Sequence, residues 1–395
     1  MKYDLCVIGG AGRVGLPLSI TFANAGFKTV IFDINEEALV KIQKGVFPFK
    51  EDGGKKNLKE ALSGGNFFFS NTPEAISQSK NIIFIIGTPV DSYLNPDLRS
   101  FHNALESYFD YFKDGQILIL RSTVFPGTSE KVQNYFINKN KKVNVAFCPE
   151  RIVEGKAFDE LGSLPQIISA FDSKTLEKVG KIFEKTSKKK AVRLEPMEAE
   201  LAKLFSNAWR YIKFSVANQF FMMAQDYGLD YYKIYKGMTE DYSRNADLPT
   251  PGFAAGPCLF KDTMQLSAFN NNKFFLGHSA MLVNEGLPDF IIQNLKKEVD
   301  LKNKTIGILG MAFKSESDDS RDSLSYKLRK ASEVCCKDVL CHDFYIKDDS
   351  FVEVDDILKK ADVIILGTPH KKYKKINIKK YPSKKFVDIW NFWEN

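Results

Sequence analysis

The chain has 395 residues, enough for two or three domains at roughly 150 residues each. Apolar residues make up 44% and charged residues 27%, the balance of a soluble globular enzyme, and the longest apolar runs (82–86 and 363–366) fall far short of the roughly 20 residues of a membrane span. The net charge of +7 is spread along the chain, too diffuse for a nucleic-acid partner, and lysine runs such as Lys188-Lys189-Lys190 and Lys371-Lys372 read as solvated surface.

The N-terminal run Leu5-Cys6-Val7-Ile8 ends in glycines with no small-residue cleavage site, so it reads as a buried strand rather than a leader, and a cytoplasmic location is expected. The six cysteines form no CxxC pair and no metal-ligand spacing, so no metal is expected. Cys6, Cys148, Cys335, Cys336 and Cys341 read as structural; Cys258 stands apart.

In chain order, residues 4–8 predict a strand, 16–25 a helix and 29–32 a second strand ending at Asp33. Further strands are expected at 82–86, 117–120 and 143–147. Short apolar strands alternating with helices imply parallel pairing with helices on both faces. From about 195 to 236 the pattern turns helical, and Leu201, Leu204, Phe205, Ala208, Trp209 and Ile212 mark one apolar face that must be buried. A Pro/Gly-rich loop covers 247–257, with helix resuming after Asp262. Near Leu301 the alternation returns, with strands at 305–310, 339–342, 363–366 and 386–389. The fold class is therefore α/β: two Rossmann-like, doubly wound parallel-sheet domains joined by a long central helix. Strand, glycine turn, helix and strand ending in Asp occur in both halves (Asp33 and Asp343).

Gly10-Ala11-Gly12-Arg13-Val14-Gly15 follows the first strand and opens the first helix. Gly10 allows the tight turn, Gly12 lets backbone approach a pyrophosphate, and Gly15 permits close helix–strand packing, while the helix N-terminus supplies partial positive charge. Asp33 follows at about the 20-residue spacing of a carboxylate that binds a ribose 2′-hydroxyl and repels a 2′-phosphate, which favours NAD⁺ over NADP⁺. Gly87-Thr88-Pro89 and Ser122-Thr123-Val124 place hydroxyls just beyond apolar strands, where ligands bind in open α/β sheets.

None of the four histidines, His102, His278, His342 and His370, lies in a recognisable catalytic setting; each reads as a surface or core residue. Cys258, after the loop 251–257 and before a helical stretch, can gain thiolate character from the helix N-terminus and Lys261. Lys203 and Asn207 share one helix face at i, i+4. Glu150 and Glu154 follow a strand and serve either as acid–base groups or as loop charges. Residue chemistry alone thus reaches an NAD-dependent dehydrogenase with a candidate cysteine nucleophile.

The ordered set GAGRVGLP (10–17), GTPV (87–90), STVFPGT (122–128), PERIVEG (149–155), EAELAKLFSN (198–207), GPCLFKD (256–262) and GMAFKSESDDSRDS (310–323) resembles the UDP-glucose/UDP-N-acetylmannosamine dehydrogenase family across nearly the whole chain. The resemblance implies an NAD-binding Rossmann domain (1–194), a central helical dimerisation and catalytic domain (195–300) and a C-terminal UDP-sugar-binding α/β domain (301–395). It implies a homodimer and a four-electron oxidation of the C6 hydroxyl of a UDP-sugar with two NAD⁺. By this resemblance Cys258 is the nucleophile that carries a thiohemiacetal and then a thioester. Lys203 and Asn207 steady the developing oxyanion, Asp262 orients water with Lys203, Glu150 serves thioester hydrolysis, and Thr123 holds water near the nicotinamide. On the cofactor side the resemblance adds Arg13, Val14, Glu154, Lys261 and Arg321 to Gly10, Gly12, Gly15, Asp33, Thr88 and Pro89. On the substrate side it assigns Glu150, Arg151, Glu154, Lys203, Asn207, Gly252, Phe253, Gly256 and Lys314, with Arg244 reaching the neighbouring subunit's substrate. Ala254-Ala255-Gly256-Pro257 replaces part of a glycine-richer loop, Phe260 stands where many relatives carry Pro or another residue, and Arg13 stands where an aromatic is frequent; the sugar choice stays open among UDP-glucose and the UDP-N-acetylhexosamines. Two other readings remain: a two-electron β-hydroxyacid dehydrogenase, which needs neither Cys258 nor the second α/β domain, and a non-catalytic nucleotide-sugar sensor.

Overall fold

The computed structural model describes residues 1–88, 91 and 97–393. They form two compact units, 1–206 and 207–395. Among the described residues no helix is long and apolar enough to cross a membrane.

The first unit is built on strands β1 (Tyr3–Ile8), β2 (Thr29–Phe32), β3 (Phe67–Ser70), β4 (Ser79–Phe84), β5 (Ile117–Leu120), β6 (Asn144–Phe147), β7 (Ile167–Ala170) and β8 (Val192–Arg193) in one sheet. Its order is β3-β2-β1-β4-β5-β6-β7-β8. Side chains alternate across the pleat: Cys6 and Ile8 pack with Val30, Phe84 and Leu120 on one face, while Leu5 and Val7 pack with Ile83, Ile119 and the helix residue Phe22 on the other. Helices cover both faces, which is why these strands read as unbroken apolar runs. The expected all-parallel pairing holds through β6, but β7 runs antiparallel to β6. The segment between them contains only the short helix Ala157–Ser163, and it stays near the carboxyl end of β6 instead of crossing back over the sheet. The fourth strand ends at Phe84, two residues earlier than its apolar run suggests.

The left-handed turn after β1 falls on Gly9 (φ +74°), where an added Cβ would lie 1.9 Å from the Ile85 carbonyl oxygen. Gly10, to which the sequence assigns that turn, is required instead by close packing, since its Cβ would sit 2.5 Å from that of Ile31. Gly15 fulfils the packing role expected of it: a Cβ there would meet the Gly9 carbonyl at 2.2 Å as the helix Gly15–Asn24 leaves the sheet.

The helical region after residue 195 begins with Pro196, at the first helical position where its missing N–H costs nothing, and runs as one helix, Pro196–Asp226. Gly228 (φ +66°) ends it with the Leu229 N–H donating to the Ala224 carbonyl (2.9 Å). Asp230 then caps the next helix, Tyr231–Thr239. The expected single apolar face is in fact two: Leu204 and Ala208 are buried, whereas Phe205 (54%) and Trp209 (56%) face outward.

In the second unit β9 (Thr305–Leu309), β10 (Asp338–His342), β11 (Val363–Leu366) and β12 (Lys385–Val387) form a wholly parallel sheet in the order β10-β9-β11-β12. The helices Phe275–Glu298 and Leu324–Glu333 pack their Leu287, Ile291 and Leu328 on Ile306 and Ile308. Asp343 closes the turn after β9 as Asp33 closes the turn after β1: Asp33 Oδ2 accepts from Ala11 N (3.0 Å), and Asp343 Oδ2 accepts from Met311 N (2.7 Å) and Ala312 N (2.9 Å).

Gly9→Ala combines a disfavoured φ with a backbone clash, so we expect it to lower stability by roughly 3 kcal/mol in urea unfolding. The same change at Gly65, where no atom lies within 4 Å of the added Cβ, carries only the φ penalty and is expected to cost less.

Candidate active site

In the first unit the loops beyond β1, β2, β4, β5 and β6 carry the site residues. Gly12 has the most room in the glycine turn, its added Cβ meeting only the Gly9 carbonyl at 3.4 Å. Asp33 is partly exposed; one oxygen holds Ala11 N and the other accepts from Asn35 N (3.0 Å). An open turn, a helix N-terminus and a half-exposed strand-end carboxylate suit a dinucleotide's pyrophosphate and ribose. Arg13 forms an ion pair with Glu154 and lies over the Phe49 ring (5.1 Å), which brings together two residues assigned to the cofactor. Val14 immediately precedes the helix Gly15–Asn24. The Thr88 hydroxyl donates to the Thr123 carbonyl (2.7 Å), and Ser122 Oγ bonds both N–H and C=O of Ile86 (2.8 Å each), so the two hydroxyl-bearing strand ends are joined. Pro89 lies outside the described residues.

Glu150 is buried, and both of its oxygens are engaged. Oε2 accepts from Arg121 Nε (3.1 Å) and Nη2 (2.5 Å); Oε1 accepts from Arg151 N (2.7 Å) and Ile152 N (3.0 Å). Arg121, 1% exposed, also donates to the Cys148 carbonyl (2.9 Å) and Gln166 Oε1 (2.8 Å) and lies over Phe183 (4.8 Å). The Arg151 guanidinium donates to the Pro165 carbonyl. This latch fixes the segment 148–155, and sequence reasoning missed it because Arg121 sits at the end of an apolar strand with no charge pattern around it.

Glu200 was also missed. It is 1% exposed on the long helix, and it caps the helix Thr128–Asn138 by accepting from Gly127 N (2.6 Å), Ser129 N (2.8 Å) and Ser129 Oγ (2.6 Å). Burial pushes its carboxyl above the usual range against the pull of those donors. The clamp ties the loop carrying Thr123 to the helix that carries the half-buried Lys203.

In the second unit Cys258 is exposed and occupies the N-cap of the helix Leu259–Phe269, which starts earlier than the sequence suggests. A thiol there feels the helix N-terminus. Cys6, Cys148 and Cys341 are buried; burial pushes the thiols of Cys148 and Cys341 up to about 12 and 11 and that of Cys6 higher, which keeps them protonated. One turn into the helix, Asp262 is 1% exposed. Its Oδ2 accepts from Asn207 Nδ2 at 2.6 Å, so two residues 55 apart in sequence meet. Asp262 Oδ1 is buried, accepts no hydrogen bond among the described residues, and lies 2.9 Å from Lys261 Nζ in an ion pair without hydrogen-bond alignment.

The loop leading to Cys258 is pinned from several sides. Asn218, fully buried, accepts from Gly252 N (2.8 Å), donates to its carbonyl (3.0 Å) and to Asn284 Oδ1 (2.9 Å). Trp390 stands where a Cβ on Gly252 would lie (2.0 Å), Phe253 packs edge-on to Trp390, and a Cβ added to Gly256 would lie 2.5 Å from the Phe313 ring. Gly256 N donates to the Asp322 carbonyl (3.2 Å), which joins this loop to the segment 310–323 carrying Lys314 and Arg321. Lys314 is half-buried beside Phe313, and Arg321 is paired with Asp319 (2.5 Å). Arg244 is exposed on the turn Ser243–Asn245, against Tyr242.

Glu200→Gln sets an amide N–H against backbone donors. We expect a loss of roughly 2 kcal/mol in urea unfolding, with a fall in turnover that Glu200→Asp partly restores.

Sequence models of the UDP-glucose/GDP-mannose dehydrogenase family match this chain in three stretches: the NAD binding domain over residues 3–187, the central domain over 197–285 and the UDP binding domain over 307–395. A UDP-N-acetyl-D-mannosamine dehydrogenase of Pyrococcus horikoshii is 29% identical over 379 residues, covering 93% of this chain and 90% of its own. One from Methanocaldococcus jannaschii is also 29% identical, over 96% of this chain and 89% of its own. The solved structure of a UDP-D-ManNAc dehydrogenase from P. horikoshii superposes with a TM-score of 0.88 at 28% identity, covering 97% of this chain and 93% of that one.

Proposed function

This chain belongs to the UDP-glucose/GDP-mannose dehydrogenase family as an NAD-dependent oxidoreductase of nucleotide-sugar alcohols, and we propose that it oxidises the C6 hydroxyl of a UDP-sugar to the carboxylate through a thioester on Cys258. The observation that carries the reading is an exposed thiol at a helix N-terminus, one turn from a buried carboxylate hydrogen-bonded to Asn207. We assign residues 1–194 to the cofactor, 195–300 to catalysis and dimerisation, and 301–395 to the UDP moiety. The relatives' names make UDP-N-acetylmannosamine the first sugar to test.

In this reading Gly10, Gly12, Arg13, Val14, Gly15, Asp33, Thr88, Pro89, Thr123, Glu154, Lys261 and Arg321 would hold NAD⁺, and one NAD⁺ bound there in each of the two oxidations would supply the acceptor for that step's hydride. The first oxidation gives a C6 aldehyde. Cys258 Sγ adds to it, and the resulting alkoxide is steadied by Lys203 and the Asn207 amide. Holding the adduct covalently lets a second hydride leave a tetrahedral carbon, which gives the thioester. Water then releases the acid and regenerates the thiol. Asp262, with Lys203, orients that water, and Thr123 holds it on the nicotinamide side. Glu150 serves hydrolysis by position, because both of its oxygens are engaged by Arg121 and the backbone. Arg151, Gly252, Phe253, Gly256 and Lys314 hold the UDP-sugar.

The assay is NADH counted against limiting UDP-N-acetylmannosamine. We expect two NADH per sugar, and a loss of at least about a thousandfold in turnover for Cys258→Ala. One NADH per sugar, or a Cys258→Ala variant that still makes the acid, overturns the thioester route.

We also propose a homodimer in which Arg244 reaches the neighbouring subunit's substrate. The long helix leaves Trp209 (56%), Val216 (38%), Phe220 (40%) and Met223 (53%) exposed at helical spacing, with Tyr227 (81%) just past its end, an apolar stripe suited to a second copy. Trp209→Glu with Phe220→Glu should halve the mass measured by light scattering and lower kcat/KM at least tenfold. An unchanged mass refutes this interface.

A further inference from the structure

We propose that His370, which the sequence presents as a mere surface or core histidine, is a positioning residue for the UDP-sugar site, acting through the segment that carries Lys314; this rests on the reading of Lys314 as a substrate residue. His370 is 0% exposed, just beyond β11. Its Nδ1 lies 2.9 Å from Glu316 N and its Nε2 3.0 Å from Asp343 Oδ2. A backbone amide can only donate, so Nδ1 carries a lone pair and the proton sits on Nε2, pointing at the carboxylate. The ring is thus a neutral strut with a donor at one end and an acceptor at the other.

Both ends of the strut grip the same segment. Asp343 Oδ2 accepts from Met311 N and Ala312 N, and Glu316 follows Lys314 by two residues. Neighbours of His370 add grips on either side of Lys314: Thr368 Oγ1 donates to the Ala312 carbonyl (2.6 Å), Ser315 Oγ to the Pro369 carbonyl (2.6 Å), and Lys371 N to Glu316 Oε1 (2.9 Å). Glu316 itself has φ +58°, a conformation that a non-glycine residue keeps only when its surroundings hold it. Its N–H is the atom His370 holds. Beyond Glu316 the segment continues to Asp322, whose carbonyl accepts from Gly256 N in the loop before Cys258. His370 therefore fixes where Lys314 stands without facing the substrate, and a displacement near 1 Å at such a residue costs binding steeply.

The test titrates purified enzyme with UDP in a calorimeter and measures steady-state constants for the UDP-sugar and NAD. We expect His370→Ala to weaken UDP at least tenfold and raise the UDP-sugar KM alike, with kcat within about threefold and the NAD KM unchanged. His370→Gln, which keeps a donor and an acceptor, should recover part of the loss. If His370→Ala does not fold, Ser315→Ala removes one grip from the same segment and should weaken UDP by about threefold. Lower thermal stability with unchanged UDP affinity in these variants, while Lys314→Ala does weaken UDP, overturns the role given to His370. Unchanged UDP affinity in Lys314→Ala overturns the reading of Lys314 itself, and this proposal with it.

Discussion

Each sheet depends on one carboxylate at the end of its second strand in sequence, which holds the turn after the first. Parallel strands end in backbone N–H groups that the ladder leaves unsatisfied, and a turn tight enough to start a helix needs an acceptor there. Asp33 and Asp343 supply it, and their surroundings decide what else each can do. Asp33 is half-exposed, so a ligand hydroxyl can reach it. Asp343 is buried; desolvation pushes its carboxyl up, but the hydrogen bond from His370 and the N–H groups of Tyr345 and Met311 outweigh that and hold it at about 2. The same motif is thus open to a ligand in one unit and sealed in the other.

Local pattern carried much of this architecture. Apolar strands, the glycine turn, Asp33 and a helix beginning near Cys258 are set by neighbours a few residues apart, so they are legible in the chain. What escaped depends on distant partners. The reversal of β7 follows from a short connection whose path no periodicity records. Trp209 and Phe205 look like core because they share helical spacing with Leu204 and Ala208, yet the helix turns them outward. Asn218, Asn284 and Trp390 fix the loop 251–256 from up to 138 residues away in sequence, and nothing in their flanking residues marks them. The Gly9 turn was displaced by one residue because the motif names the glycine that packs rather than the one that bends.

The buried carboxylates show where the fold has finished its work and where it has not. An ionised carboxylate out of water is tolerated when its lone pairs meet donors, and it is costly when they do not. Glu150 meets Arg121 and two backbone N–H groups, Glu200 meets Gly127 and Ser129, and Asp343 meets His370 and several backbone amides. Asp262 departs from this rule. One oxygen is bound by Asn207; the other is buried, accepts no hydrogen bond among the described residues, and is paired with the Lys261 ammonium at 2.9 Å. This second oxygen is held by an ion pair alone, one helical turn from Cys258. That contrast is the physical argument behind the proposed proton management at Asp262 and loop-holding at Glu150.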